Sequence, residues 1–163
     1  MKYRISALGG MLALMTAVPG NAQIGWAPVF GPDAARKAAE VCLHMAADKG
    51  WSLAVVALDE GGHILYAFRM EGGNYARLDF ATEKARTALL TRRPSGDLLD
   101  RMQSGKEPFL FSIPDYVGMR GGLPVVSEGR VIGAIGASGA KPEEDEACVK
   151  AGIDALTGPV KRP

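Results

Sequence analysis

The most constraining feature of this chain is the run Trp51–Asp59 (WSLAVVALD), apolar almost without interruption and of strand length. A strand with one wet face would alternate apolar and polar residues, so a strand reading this way must be covered on both faces. Glu60-Gly61-Gly62 turns the chain, and His63–Met70 (HILYAFRM) reads as the returning strand of a hairpin. Alternation puts Ile64, Tyr66, Phe68 and Met70 on one face, and His63, Leu65, Ala67 and Arg69 on the other. His63 and Arg69 stand six positions apart, about 20 Å at roughly 3.3 Å per residue. They could flank a large planar ligand but not grip one ion. From position alone the simpler reading is that His63 borders a tight turn and Arg69 caps the strand in solvent.

Helices are expected on either side of this hairpin. Asp33 looks like a helix start, and the segment through Lys49 ends at Gly50, with Ala35, Ala38, Cys42, Met45 and Ala46 as its inner stripe. His44 falls on another, wet face. Arg77–Leu90 is helical with Leu78, Ala81, Ala85 and Ala88 inward; the pattern breaks at Pro94, and Ser95 is a plausible cap for a short helix. Residues 106–120 read as an irregular connection. A second hairpin spans Gly121–Gly139 and turns at Glu128-Gly129, and Pro142 opens a last helix with Glu143, Glu144 and Asp145 in its first turn. The order helix, two strands, two helices, two strands, helix predicts an α+β domain, with helices flanking a central, mainly antiparallel sheet.

The chain begins with Lys2, Arg4 and a 14-residue apolar run, Ile5–Val18, followed by Pro19, Gly20 and small residues up to Ala22. This is the anatomy of a secretory signal over residues 1–22. The run is short for a membrane span of roughly 20 residues, and no cysteine follows to suggest a lipoprotein. Export to a periplasm or the exterior is therefore expected, with no transmembrane segment after cleavage. Residues 23–32 form a loose leader, 33–158 one domain and 159–163 a tail. Losing Lys2 and Arg4 takes the net charge from +1 to −1, which gives no electrostatic footprint for nucleic acid. In an oxidising compartment Cys42 and Cys148 could pair, if the two terminal helices pack together. Their spacing fits no zinc site.

Three groups could carry chemistry. His63 sits in the acidic turn. Lys84, Arg86, Arg92, Arg93, Arg101 and Lys106 stand against only Asp97 and Asp100, a cluster suited to carboxylate or phosphate unless it is a solvated face. Gly121, Gly122, Gly133, Gly136 and Gly139 thin the second hairpin, implying close approach by another backbone or by a ligand. No phosphate loop and no nucleophile–base constellation is present, and no catalytic residue is assigned.

Asp-x-Gly-Gly-His at 59–63, Arg-Met-x-Gly at 69–72, Lys-Ala-Arg-Thr at 84–87, Arg-Pro-Ser at 93–95 and Gly-Gly-Leu-Pro at 121–124 occur in that order. Together they closely resemble the GlcG/HbpS family of haem-binding-like proteins, a domain also attached to some corrinoid adenosyltransferases. The likeness runs from about Asp33 to Leu156. It implies a profilin-like fold with a five-stranded sheet, the extra strand coming from Pro108–Ile113, and assembly into homo-oligomers. It also implies haem as a ligand, with His63 the first choice for the iron; His44, exposed on its helix and outside the recurring motif, is the second and would be particular to this sequence, and Arg86, Arg92 and Arg93 are the candidates for the propionates. The alternatives are a pocket for a small organic acid, built from Lys84, Arg86 and the Gly121–Pro124 loop, and an accessory oligomer of an oxidation pathway. In this setting Arg69, Gly121, Gly122 and Pro124 count as ligand-binding candidates.

Overall fold

The computed structural model describes residues 28–105, 114 and 116–156. Its elements follow the expected order: α1 (Pro32–Asp48), β1 (Ala54–Asp59), β2 (Ile64–Arg69), α2 (Ala76–Thr91), α3 (Ser95–Gln103), β3 (Gly122–Ser127), β4 (Arg130–Ser138) and α4 (Pro142–Asp154). All strand pairs are antiparallel, in the order β2-β1-β4-β3. The sheet has four strands rather than five, because each hairpin contributes two and no further strand pairs with the edges β2 and β3 among the described residues. The expected fifth, Pro108–Ile113, lies outside the described residues, as do segment 1–22, residues 23–27 of the leader and the tail 159–163.

The apolar run takes the central place its composition demands. Each residue of Leu53–Leu58 is fully buried. Val55 and Ala57 face α1 and α4, with Ile135 and Ala137 of β4 beside them. Ala54, Val56 and Leu58 face α2, meeting Ala81 and Ala85. Fully burying one such valine or leucine stabilises by about 1.5–3 kcal/mol, so this strand anchors both layers.

The glycine-rich hairpin serves α2 rather than leaving empty space. Gly122 and Gly136 pair with each other on the α2 side of the sheet. A β-carbon at Gly136 would overlap the Ala81 carbonyl, and one at Gly122 the Lys84 carbonyl. At Gly122 and Gly136 the helix backbone therefore lies directly on the strands.

Several local expectations shift. A bulge in the β1–β2 register pairs Ala57 with Tyr66 but Leu58 with Ile64. The extra residue, Leu65, turns to the α1 side with Tyr66, while Ile64 moves to the face of Leu58, so the strict alternation expected for this strand fails at its start. Helix α1 begins at Pro32 with Gly31 as N-cap, one residue before Asp33, because proline at N1 needs no amide partner. Pro94, not Ser95, is the N-cap of α3. The Ser95 hydroxyl instead donates to Met119 O (2.6 Å) and accepts from Gly122 N (2.9 Å).

Helices α1 and α4 pack closely enough for a disulfide between Cys42 and Cys148, with Cα atoms 4.6 Å apart. No helix among the described residues is long and apolar enough to cross a membrane.

Candidate functional site

Asp59 and His63 close the β1–β2 turn around Gly61 and Gly62. The Asp59 amide donates to His63 O (2.9 Å), and Gly62, at φ 82°, donates to Asp59 O (3.1 Å). The His63 amide donates to Asp59 Oδ1 (2.8 Å), and His63 Nδ1 lies 3.3 Å from Asp59 Oδ2. These bonds, the His63 amide first, hold the Asp59 carboxyl below the usual carboxylate range. An ionised carboxylate can only accept, so this contact favours a proton on Nδ1, and in the neutral ring that tautomer leaves the lone pair on Nε2. The His63 side chain is 82% exposed. A carboxylate behind one ring nitrogen is the support that metal-bound histidines use to fix tautomer and orientation.

Helix α2 ends beside this turn, with Leu89 next to Gly62. Between them lies an open pocket of about 430 Å³, lined by Glu60, Gly61 and Gly62 from the turn, Arg86, Leu89, Leu90 and Arg92 from the end of α2, and Val131 of β4. That volume falls in the range of small-ligand sites. Its charges are unevenly matched. Glu60 pairs with Arg130 (3.4 Å) on the rim. Arg86 and Arg92 have no ion-pair or hydrogen-bond partner among the described residues, whereas Arg36, Arg69, Arg77, Arg120 and Arg130 are each engaged, and Arg101 also interacts. Two free guanidiniums beside leucine and valine side chains suit an anionic group carried on an apolar body.

The other sequence-derived positions lie elsewhere. Lys84 points away from the pocket and is 1% exposed. It donates to Asp145 Oδ2 (2.8 Å) and Ala137 O (3.0 Å), tying α2 to α4 through the core. Burial pushes the Asp145 carboxyl up, against the pull of Lys84 and of the Ala140 and Gly139 amides. Thr87 accepts from Val117 N (2.9 Å), so Lys-Ala-Arg-Thr divides into inward Lys84 and Thr87 and outward Arg86. Gly121 and Gly122 back onto Lys84. Pro124 sits opposite Ala134 on edge strand β3, where a missing amide costs least. Arg69 donates to Gly73 O at the far end of β2. His44 is exposed on α1, across the sheet from α2, so the two histidines do not meet within one chain. Arg93 is exposed next to Arg92.

The structure thus gathers Arg86 and Arg92 under the His63 turn. Sequence reasoning missed the pocket's apolar floor and Glu60. One signal was available: Leu90 lies off the inner stripe of α2 and remains 59% exposed.

Comparison with known proteins places these features in context. The model of the family described as haem degrading protein HbpS-like matches residues 30–154. GlcG of Escherichia coli K12 is 36% identical over 88 residues, 54% of this chain and 65% of GlcG's own length. An uncharacterised 15.0 kDa protein from the dhaT-dhaS intergenic region of Citrobacter freundii is 29% identical, covering 76% of this chain and 89% of that one. Among solved structures, a double mutant of HbpS from Streptomyces reticuli superposes with a TM-score of 0.77 at 29% identity, over 90% of this chain and 99% of that one. A PduOC–haem complex shares the fold, with a TM-score of 0.73 at 21% identity, over 82% of this chain and 99% of that one.

Proposed function

Because the chain belongs to the HbpS-like haem-degrading family, we propose that it is an exported protein that binds haem, or a related tetrapyrrole, at the pocket beneath the β1–β2 turn. The observation that carries this reading is that Arg86 and Arg92, without ion-pair or hydrogen-bond partners among the described residues, line a pocket with apolar side chains and the Glu60-Gly61-Gly62 turn; His63 does not line it but follows that turn, its Nδ1 3.3 Å from Asp59 Oδ2. The donor set fits the group at both ends. Carboxylates on a flat apolar ring match the arginines and leucines, and an outward Nε2 matches the iron.

In this reading His63 binds the iron, Asp59 holds the imidazole in its ligating tautomer, and Arg86 and Arg92 take the propionates, with Arg93 close by. Bound there, haem would supply a redox-active iron; the chain's own residues bind, orient and hold, and none is assigned a catalytic role. The PduOC–haem complex on the same fold supports the ligand class. Export is supported by the signal-like first 22 residues and by the Cys42–Cys148 disulfide, which persists in oxidising compartments. Edge strand β2, with Phe68 exposed on one face and Ile64 on the other, supports assembly into homo-oligomers through its open edge.

Hemin titration tests the ligand. The wild-type protein should develop a Soret shift that His63→Ala abolishes and His44→Ala leaves intact. An unchanged band in His63→Ala would remove this ligation. The size of the pocket and its two arginines, unpaired among the described residues, also suit a small organic acid; that reading predicts thermal stabilisation by the acid and none by hemin.

A further inference from the structure

Helix α2 ends in a way the other described helices do not. After α1 and α3 the chain turns through left-handed glycines, Gly50 at φ 69° and Gly105 at φ 71°. After α2 the left-handed position is Arg92, at φ 57° and ψ 29°. This conformation crowds a β-carbon, which is why helix ends of this kind favour glycine. The chain nevertheless carries there a long side chain that lines the pocket and has no partner among the described residues. A residue kept in a costly conformation beside a cleft marks a functional site when that same side chain faces the cleft.

We propose that Arg92 is the specificity-determining anion anchor of the pocket, held at the expense of fold stability to recognise a carboxylate on a planar ligand. The inference rests on the tetrapyrrole reading above and narrows it to one side chain. Its left-handed backbone ends α2, and Arg92 lines the pocket together with Arg86, six positions earlier in the chain. Leu89 and Leu90 lie between the two and supply the apolar contact. A positive charge at a helix C-terminus is favourable in itself. That benefit accounts for a cation here but not for a β-carbon in left-handed geometry, and lysine would provide it equally.

The test pairs stability with binding of an iron-free ligand, so that iron ligation plays no part. Arg92→Gly should raise Tm by about 3 °C, as strain at a glycine-favouring site is released. The same variant should bind protoporphyrin IX at least about 10-fold more weakly, the loss expected for one charge-assisted contact. Arg92→Lys should keep the wild-type Tm and fall between the two in affinity, because an ammonium cannot make the paired bonds of a guanidinium. Protoporphyrin dimethyl ester, which lacks the charges, should bind wild type and Arg92→Gly equally weakly. Arg92→Gly that binds the acid as tightly as wild type, or that loses stability, overturns the proposal and leaves the haem reading standing. Wild type that binds acid and ester alike does the same. Wild type that binds neither porphyrin overturns the proposal, and the hemin titration above then decides the haem reading by itself.

Discussion

Replacing Lys84 with methionine would strand a carboxylate in the core. Lys84 and Asp145 are 1% and 2% exposed, and their charged atoms are 2.8 Å apart. At an effective dielectric of about 20, charges at this separation attract by roughly 6 kcal/mol before desolvation is subtracted. Removing one partner of such a pair costs about 3–5 kcal/mol, because the survivor keeps its burial penalty. Asp145 would retain the Ala140 amide (2.9 Å) but no cation, and Ala137 O would lose its ammonium donor. For a domain of this size about 1 kcal/mol moves Tm by roughly 4 °C, so Lys84→Met should melt about 12–20 °C lower. Replacing both residues by apolar ones should recover most of that loss, since a buried pair is often no better than good packing. The deficit should also depend on pH. Burial already raises the Asp145 carboxyl, and losing Lys84 raises it further; a raised carboxyl contributes stability that is full below its free value of 3.8 and lost as pH increases. The penalty in Lys84→Met should therefore be largest at neutral pH and shrink in acid. Calorimetry across pH measures it. A single variant losing less than about 1 kcal/mol, or a double variant as unstable as the single, would refute the reasoning.

Two further outcomes are expected. The Cys42–Cys148 disulfide closes a loop of 106 residues, for which chain entropy predicts about 4.7 kcal/mol, so reduction should lower the denaturant midpoint sharply; a shift worth under about 1 kcal/mol would show that the bond adds little. Asp59, lowered chiefly by the His63 amide, contributes stability present above its free value of 3.8 and lost as pH falls through its folded value. Carboxyl NMR should place its titration below that of free aspartate, and a midpoint above 3.8 would show that the turn does not hold it.

The fold was largely legible because its strongest signals are local. An unbroken apolar run admits one place, the sheet centre, and alanine spacing identified the inner faces of α1 and α2. What the sequence could not separate was which backbone the glycines admit. Gly122 and Gly136 read equally well as a ligand berth or a seat for a helix, and only packing shows the Ala81 and Lys84 carbonyls on them. The site was legible by residue type but not by grouping. Lys84 and Arg86 are two positions apart, yet helical geometry sends one into the core and the other to the surface. The bulge at Leu65 was invisible because it depends on the register of a partner strand. The bond between Cys42 and Cys148 depended on two helices at opposite ends of the domain meeting, which no local pattern records.

That bond also orders events in time. Its two sulfurs belong to the first and last described helices, so the clasp cannot close until nearly the whole chain has emerged. The strand at the centre of the sheet likewise waits for β4, some 70 residues downstream, before its second edge is satisfied. A nascent chain halted before α4 would hold both hairpins and a bare flank, leaving an unpaired thiol at Cys42 open to the wrong partner.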